Sequence, residues 1–408
     1  MLVKVYGASV RGLSAIPVTI EVNASRGIKF FLVGLPDNAV KESHERIVAA
    51  VENSGYRFPS KQFVVNMAPA DIRKEPLAVG ILATDEKVKP DKLSRTMMLG
   101  ELSLDGSLQP VKGALPIAIK AREMGFEHLI VPRQNVREAA VVNRLKVYGA
   151  SHIGEVVRFL NDEGGLMPTE IDTRAEFYAQ QTEFDFDFAD VKGQEHVKRA
   201  LEVAAAGGHN VIMIGPPGSG KSMMAKRLPS ILPPLSLAES LETTQIHSVA
   251  GKLARESSLI ARRPFRAPHH TISQIALVGG GANPQPGEVS LAHNGVLFCD
   301  ELPEFSRSVL EVLRQPLEDR QINISRAKYS VTYPCSFMFV ASMNPCPCGY
   351  YNHPTKACVC TPGQIHRYLH KISGPLLDRI DLQIEITPLS FDELSRQAPG
   401  ESSATIRE

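Results

Sequence analysis

The sequence predicts a two-part α/β protein, in which a first domain of mixed strands and helices precedes a nucleotide-binding domain built on a parallel sheet. A glycine-rich turn at residues 215–222, GPPGSGKS, stands between the apolar run VIMI and a helical segment. This strand–turn–helix order is typical of phosphate-binding sites on parallel sheets. A second apolar run, GVLFC, ends in the acids Asp300 and Glu301. The chain has 408 residues, which is enough for two or three domains.

Residues 1–165 are expected to form the first domain, because strand-like runs there alternate with helical patterns. The strand-like runs are residues 3–5, 17–22, 29–33 and 63–67. Residues 37–54 carry apolar side chains at helical spacing and are followed by a glycine. Residues 166–187 are acidic and polar without a sustained period, so a linker is expected. The nucleotide-binding domain is expected to span residues 188–408.

Composition excludes some classes of function. The 45 basic and 44 acidic side chains nearly cancel, so any contact with nucleic acid must come from local patches. No apolar run is long enough to span a membrane, and the first residues lack the apolar core of a signal peptide. We therefore expect a cytoplasmic protein without a membrane partner. The last residues stop where a helical pattern begins, and so we expect the chain to be a piece of a longer protein.

The turn at residues 215–222 predicts ATP binding. Its backbone N–H groups and the following helix N-terminus face a phosphate, and Gly218 and Gly220 allow positive φ. Lys221 is expected to reach the β- and γ-phosphates, and Ser222 to ligate Mg²⁺. An ordinary glycine-rich turn is the alternative. The candidate ATP-binding residues are Gln194, Gly215, Pro216, Pro217, Gly218, Ser219, Gly220, Lys221 and Ser222.

Three polar side chains follow buried strands and are candidates for ATP hydrolysis. Asp300 is expected to hold Mg²⁺, and Glu301 to orient and polarise the attacking water. Asn344 ends the strand-like run SFMFVASMN, where an amide can help to place that water. The alternatives are a helix cap for the acidic pair and an ordinary turn residue for Asn344.

Arg379 lies in the segment LLDRIDL, between leucines that would bury a helix. An arginine that reaches the γ-phosphate of a neighbouring subunit would stabilise charge in the transition state. The alternative is an ion pair within the chain, with Asp378 or Asp381.

Two basic segments are candidates for DNA contacts. The first belongs to a loop-rich insert at residues 236–289, and the second is expected at the tip of a hairpin. Such side chains would hold phosphates without reading base sequence, although a basic run is also typical of a plain solvated surface. The candidates are Arg262, Arg263, Arg266, His269 and His270 in the insert, and Arg326 and Lys328 in the hairpin.

Four of the six cysteines, Cys346, Cys348, Cys358 and Cys360, form the pattern C-x-C-x₉-C-x-C. Four thiolates match a closed tetrahedral zinc site, and a cytoplasmic setting favours metal over disulfides. Gly349, between the two pairs, helps the intervening loop to fold back. A [4Fe–4S] cluster and free buried thiols are the alternatives.

Taken together and in this order, GPPGSGKS, GVLFCDE, VASMN and GPLLDRID resemble AAA+ ATPases of the magnesium-chelatase, helix-two-insert group. Residues 100–135 resemble the proteolytic domain of Lon and the related domain of RadA-type proteins. The serine-bearing loop of Lon is absent, and the place of its lysine falls on Leu115 or Pro116, so we expect no proteolysis. With this Lon-like domain and the motif NPCPCGYY, the whole chain resembles the YifB/ComM family.

That resemblance implies a ring-shaped, hexameric ATPase that uses ATP and Mg²⁺. It implies a DNA helicase that acts on single-stranded or branched DNA and promotes branch migration while incoming DNA is integrated. Against this family, the small helical lid after the ATPase core, with its second sensor arginine, is expected to be mostly missing from the chain. The alternatives are a chelatase-type motor that remodels a protein partner and, weakened by the absent Ser–Lys dyad, an ATP-dependent protease.

Overall fold

The structure is a computed structural model, and it describes residues 1–33, 37–68, 74–254, 258–281, 283–326, 330–388 and 400–408. These residues form two compact units. The first comprises Met1–Glu176 together with His247–Leu259, and the second comprises Phe177–Ile246 together with Ile260–Glu408. Both units combine helices with a sheet, which confirms the predicted mixed α/β class.

The first unit is built on a seven-stranded mixed sheet. The strands of the sheet are β1 (Leu2–Arg11), β2 (Ser14–Ser25), β3 (Phe30–Val33), β4 (Gln62–Ala68), β5 (Thr96–Met98), β8 (His128–Pro132) and β9 (Lys146–Ala150). A separate short hairpin consists of β6 (Glu101–Leu102) and β7 (Leu108–Gln109). The strand order is β3-β4-β2-β1-β5-β8-β9. Strands β1 and β2 pair antiparallel, whereas β5, β8 and β9 run parallel to one another. Alternate residues of β1 and β2 are buried, as a sheet covered on one face requires.

Helices cover this sheet and continue into the segment that was expected to be a linker. They are α1 (Asp37–Asn53), α2 (Lys74–Ala83), α3 (Ala114–Glu123), α4 (Val136–Ala140), α5 (Ile153–Leu160) and α6 (Thr173–Gln180). The sheet shares one apolar core with α1, α2 and α5, and this core includes Ile20, Ile47 and Leu77. Leu115 and Pro116 are buried in α3, so this helix has apolar side chains where a proteolytic Lon domain has its lysine.

The second unit contains a five-stranded parallel sheet and two short hairpins, β12 with β13 and β15 with β16. Its strands are β10 (Val211–Ile214), β11 (Phe265–Arg266), β12 (Gly279–Gly280), β13 (Gln285–Pro286), β14 (Val296–Cys299), β15 (Gln321–Ser325), β16 (Ser330–Pro334), β17 (Met338–Met343) and β18 (Leu382–Glu385). The order of the five-stranded sheet is β11-β14-β17-β10-β18, with every neighbour parallel. The carboxyl ends of β10, β14 and β17 therefore meet at one edge, where open parallel sheets bind their ligands.

The helices of the second part of the chain are α7 (Glu195–Gly207), α8 (Lys221–Ile231), α9 (Leu237–Ala250), α10 (Gln274–Val278), α11 (Glu288–Leu291), α12 (Arg307–Val312), α13 (Arg314–Asp319), α14 (Pro362–Leu369), α15 (Gly374–Leu377) and a last short helix, Ser403–Arg407. Helix α9 lies in the insert that was expected to be rich in loops. None of the helices in the described ranges combines the length and apolar character needed to cross a membrane.

Candidate nucleotide-binding site and cysteine cluster

The turn between β10 and α8 has the backbone geometry of a phosphate-binding loop. Gly218 and Gly220 have φ angles of +79° and +90°, which side chains with a Cβ rarely adopt. A Cβ on Gly215 would lie 2.5 Å from the carbonyl oxygen of Ile386, so only glycine fits there. Because Gly220 caps α8, the helix begins at Lys221 and its first N–H groups face the turn.

Lys221 points back into this turn. Its ammonium group donates to the carbonyl oxygens of Gly215 and Pro216 at 2.7 and 2.8 Å. Burial lowers the pKa of Lys221, and the carboxylates of Asp300 and Glu301 oppose that shift. The turn thus holds a largely buried ammonium group beside two acids, an arrangement that suits the negative charge of a bound phosphate.

A carboxylate and a hydroxyl meet beside the turn as magnesium binding requires. The Ser222 hydroxyl donates to Asp300 Oδ2 at 2.6 Å, which brings the first turn of α8 to the end of β14. The other carboxylate oxygen, Oδ1, accepts a hydrogen bond from Ser342 of β17. Ser342 is fully buried, and it was not among the residues that the sequence suggested. Two hydroxyls therefore orient the carboxylate from opposite sides.

Glu301 has a left-handed backbone with φ of +53°, and its side chain is 59% exposed. Its N–H donates to Asp300 Oδ1 at 3.1 Å, so the two acids are linked within one turn. His270 Nδ1 lies 3.9 Å from Glu301 Oε2. This histidine had been assigned to DNA contacts from its sequence context, yet it lies at the acidic pair.

Asn344 links the end of β17 to the turn. Its Oδ1 accepts a hydrogen bond from Lys221 Nζ at 3.3 Å. Burial raises the pKa of Tyr368 on α14 to about 12, and the nearby backbone N–H of Asn344 opposes that shift. The amide is therefore held at the end of the strand, within reach of the groups that would surround a γ-phosphate.

Gln194 is a buried cap of α7, and its Nε2 donates to the carbonyl oxygen of Thr387. Its Oε1 is buried and has no hydrogen-bond partner among the residues that the structure describes. A buried acceptor without a partner is unusual, and it is available to a ligand that carries an N–H group.

Arg379 forms an ion pair within its own chain, but with a partner that the sequence did not suggest. Its guanidinium group contacts Glu318 on α13 and the carbonyl oxygen of Pro375. The expected alternatives had been Asp378 and Asp381. Asp381 instead accepts a hydrogen bond from the N–H of Asn210 at 2.8 Å. A role for Arg379 in a neighbouring subunit would require it to exchange Glu318 for a phosphate.

Several of the basic candidates have partners within the chain. Arg266 forms two hydrogen bonds to Glu288, at 2.6 and 2.8 Å, and Arg263 donates to the carbonyl oxygen of Asn294 at 2.8 Å. These bonds make both arginines structural in this chain, so they do not support a DNA surface. Arg262 and His269 are exposed, although Arg262 also donates to the carbonyl oxygen of Glu183.

The hairpin β15–β16 carries the remaining basic candidates. Arg326 follows β15 and is exposed, whereas Lys328 lies outside the described residues. The glycine turn at β12 lies beside this hairpin, because a Cβ on Gly280 would be 3.2 Å from Arg326 Nη2. An exposed guanidinium group thus adjoins the buried glycines of β12.

The four cysteines that the sequence paired are brought together. Their sulfur atoms all lie within 4.8 Å of one another, and Cys346 is 3.4 Å from Cys348 and 3.7 Å from Cys358. Tetrahedral Zn²⁺ with bonds of about 2.3 Å separates its sulfur ligands by about 3.8 Å, which matches these spacings. None of the four is in a disulfide.

Backbone N–H groups point at the sulfurs of Cys346 and Cys348 and favour thiolates there, whereas burial and the neighbouring sulfurs raise the pKa of Cys358 and Cys360. The N–H of Tyr351 donates to Cys346 Sγ at 3.3 Å. The N–H groups of Tyr350 and Val359 lower the pKa of Cys348 from 9.0 to about 6. Zinc binds the deprotonated thiol, so the geometry and the donors around the cluster both fit a metal.

Comparison with known proteins agrees with this arrangement. The family model described as "Magnesium chelatase, subunit ChlI" matches residues 187–394, and the model "Subunit ChlI of Mg-chelatase" matches residues 20–135. The chain is 44% identical to YifB of Escherichia coli K12 and 44% identical to the competence protein ComM of Haemophilus influenzae. In each case the similarity covers 99% of this chain and 80% of the relative.

A more distant similarity supports the two-part architecture. The chain is 34% identical to Lon protease 2 of Bacillus subtilis over 157 residues, which cover 35% of this chain and 27% of that protein. With the parallel sheet, the phosphate-binding turn and near-complete coverage by the two relatives above, the chain belongs to the YifB/ComM family of magnesium-chelatase-like AAA+ proteins.

Proposed function

We propose that this AAA+ protein hydrolyses ATP to drive a ring-shaped motor along DNA. The observation that supports hydrolysis most directly is the meeting of Lys221, Ser222, Asp300 and Asn344 through hydrogen bonds at one edge of the sheet. These four side chains come from two strand ends and one helix, so the fold itself brings them together.

Each side chain would have a separate role. Lys221 would exchange the carbonyl oxygens of the turn for phosphate oxygens, while Ser222 and Asp300 would hold Mg²⁺. The bound metal neutralises charge on the phosphates. Glu301 projects from the same turn toward solvent and would orient the attacking water, with Asn344 on its other side. Gln194 Oε1 would accept a hydrogen bond from the amino group of the base.

Substitutions in the full-length protein test these roles. Lys221→Ala should abolish tight ATP binding, because the buried ammonium group is lost. Glu301→Gln keeps the size of the side chain but not its charge, and it should retain binding while turnover falls by a factor on the order of a thousand. Equal turnover in the wild type and in Glu301→Gln would remove Glu301 from the mechanism.

The same site supports an assembly in which subunits complete one another. The proposed hexamer would place Arg379 against the nucleotide of the adjacent subunit, where it would exchange Glu318 for the γ-phosphate. The name ComM of the Haemophilus relative and the resemblance of the motifs support a role in branch migration of DNA.

The exposed side chain of Arg326 supports DNA as the substrate. A guanidinium group that follows β15 of the hairpin suits the phosphates of single-stranded or forked DNA. Arg326→Ala should weaken DNA binding equally on different base sequences and reduce its dependence on salt. Arg199→Ala is the matched control, because that side chain is 76% exposed on α7 and away from the hairpin sequence.

The alternative is a chelatase-type motor that remodels a protein partner, and the match to the chelatase-subunit family model favours it. The two proposals differ in one simple measurement. DNA affinity at low salt in the presence of an ATP analogue supports the helicase. If the protein shows none, the chelatase-type motor becomes the better account.

A structural zinc ion is proposed for the cysteine cluster, with Cys346, Cys348, Cys358 and Cys360 as its ligands. Because four thiolates fill the tetrahedral shell, such an ion would have no open position for a water and would not take part in hydrolysis. Protein purified without added metal should contain about one zinc per chain. A colourless protein without zinc, whose four thiols all titrate freely, would contradict this proposal.

A further inference from the structure

The segment that carries the cysteine cluster lies directly against the phosphate-binding turn. We call residues 346–360 the cysteine knuckle. Gly349 of the knuckle has φ of +85°, and a Cβ added there would lie 2.6 Å from Cδ of Pro217. Pro217 belongs to the turn that would surround the phosphates. The backbone of the knuckle and the turn are therefore in van der Waals contact, with no space for a side chain between them.

A second contact joins the base of the knuckle to the same turn. Asn344 precedes the first cysteine by two residues, and its side chain accepts a hydrogen bond from Lys221. The backbone N–H of Asn344 lies close enough to the hydroxyl of Tyr368, on the helix that leaves the knuckle, to lower the pKa of that hydroxyl. Entry and exit of the knuckle thus meet at the residue that contacts the lysine.

Between these points the knuckle has little apolar packing of its own. Most of its residues are exposed, including Val359 at 82%, and Cys346 is its one apolar core residue among those described. Two cysteines come from its beginning and two from its end. A segment of this kind depends on a metal for a fixed conformation, as small zinc-stabilised folds do.

We propose that metal in the cysteine knuckle sets the conformation of the phosphate-binding turn, so that ATP affinity depends on metal occupancy. The metal fixes Gly349 and Asn344, and these two residues position Pro217 and Lys221. Metal loss would release both contacts at once. The inference rests on the proposed zinc and ATP sites, and it adds a regulatory link between them.

The first test compares the same protein with and without metal. Zinc is released with a mercurial reagent and a chelator, the thiols are then regenerated with excess dithiol, and a fluorescent ATP analogue is titrated. We expect the dissociation constant to rise about tenfold or more and to return when zinc is restored. An unchanged dissociation constant after metal loss overturns the inference. If the zinc-loaded protein itself binds no nucleotide, the proposed ATP site fails instead.

The second test perturbs the contact and leaves the metal ligands in place. Gly349→Ala should retain zinc but weaken binding of the ATP analogue, because the new methyl group displaces Pro217. Gly208→Ala is the control for backbone strain, since Gly208 has φ of +65° but nothing within 4 Å of an added Cβ. Gly363→Ala adds a methyl group in open space just beyond the knuckle. It is the control for a glycine-to-alanine change in this part of the chain that does not touch the turn. Equal nucleotide affinity in all three variants overturns the inference.

Discussion

Ser342→Ala should weaken the use of Mg²⁺ without removing any group that would touch the nucleotide. The hydroxyl of Ser342 donates to Asp300 Oδ1 and lies 3.4 Å from the N–H of Glu301. Alanine leaves both groups without that partner at a fully buried position. The carboxylate then loses one of the two hydroxyls that orient it.

The magnitude follows from the kind of bond that is lost. A hydrogen bond to a charged group contributes about 1.5–3 kcal/mol, which corresponds to about a tenfold to hundredfold change in an equilibrium constant. Outer residues that orient a metal ligand typically alter metal affinity by about the same factor. We therefore expect the Mg²⁺ concentration at half-maximal ATP turnover to rise about tenfold to a hundredfold in Ser342→Ala.

The assay is a Mg²⁺ titration of ATP turnover in the wild type and in two variants. Ser290→Ala is the matched control, because that serine is also fully buried in the second unit, but its hydroxyl has no hydrogen-bond partner in the described residues. It should leave the Mg²⁺ midpoint unchanged. If Ser342→Ala shifts the midpoint no more than Ser290→Ala does, Ser342 does not orient the carboxylate and the reasoning is refuted.

Three further predictions concern other side chains. Burial raises the pKa of Glu138 above 4.5, so its neutral form stabilises the fold at low pH, and that contribution falls as pH rises above 4.5 toward the folded pKa. The protection of the α4 amides against hydrogen exchange should therefore fall with rising pH in the wild type, and it should fall much less in Glu138→Gln. An equal dependence of this protection on pH in both proteins would contradict the prediction. His270→Ala should lower the maximal rate of ATP turnover several-fold, because His270 Nδ1 lies 3.9 Å from Glu301 Oε2; an unchanged maximal rate would exclude that role. Arg379→Ala and Lys221→Ala subunits, each inactive alone, should partly restore turnover when mixed, and no recovery in confirmed mixed rings would argue against action in a neighbouring subunit.

Features written in one continuous stretch of sequence were predictable. The turn at 215–222 and the strands β10, β14 and β17 follow from apolar runs with glycines or acids at their ends, because these patterns depend on neighbours in the chain. The cysteine spacing likewise predicted one cluster. In each case the prediction depended only on residues that are close together in the sequence.

Helix α9 was not predicted, and its burial explains why. Sequence analysis looks for apolar residues that recur on one face of a helix. In α9 the buried positions include Ser240, Thr243 and Thr244, which are polar. The hydroxyl of Thr244 donates to the carbonyl oxygen of Ser240, and Ser240 donates to Ile260, so the polar groups are satisfied inside the structure. A pattern of apolar residues alone does not detect such a helix.

Pairings between distant residues were also beyond the sequence. Arg266 and Glu288 are 22 positions apart, and nothing in the basic run indicates that a carboxylate will bind the arginine. In the sequence, Ser342 is a single polar residue in an apolar strand, and nothing there indicates a role. Only the pairing of β14 with β17 places it beside Asp300. The contact between Gly349 and Pro217 depends in the same way on how two loops meet.

The central claim is that ATP hydrolysis at this site is coupled to DNA, and the most direct test measures ATP turnover with and without forked DNA. The measurement uses the full-length protein, in wild-type form and as Glu301→Gln. The account predicts that forked DNA raises turnover of the wild type several-fold and leaves Glu301→Gln without measurable turnover. Wild-type turnover that is unchanged by single-stranded and forked DNA at low salt would contradict the claim.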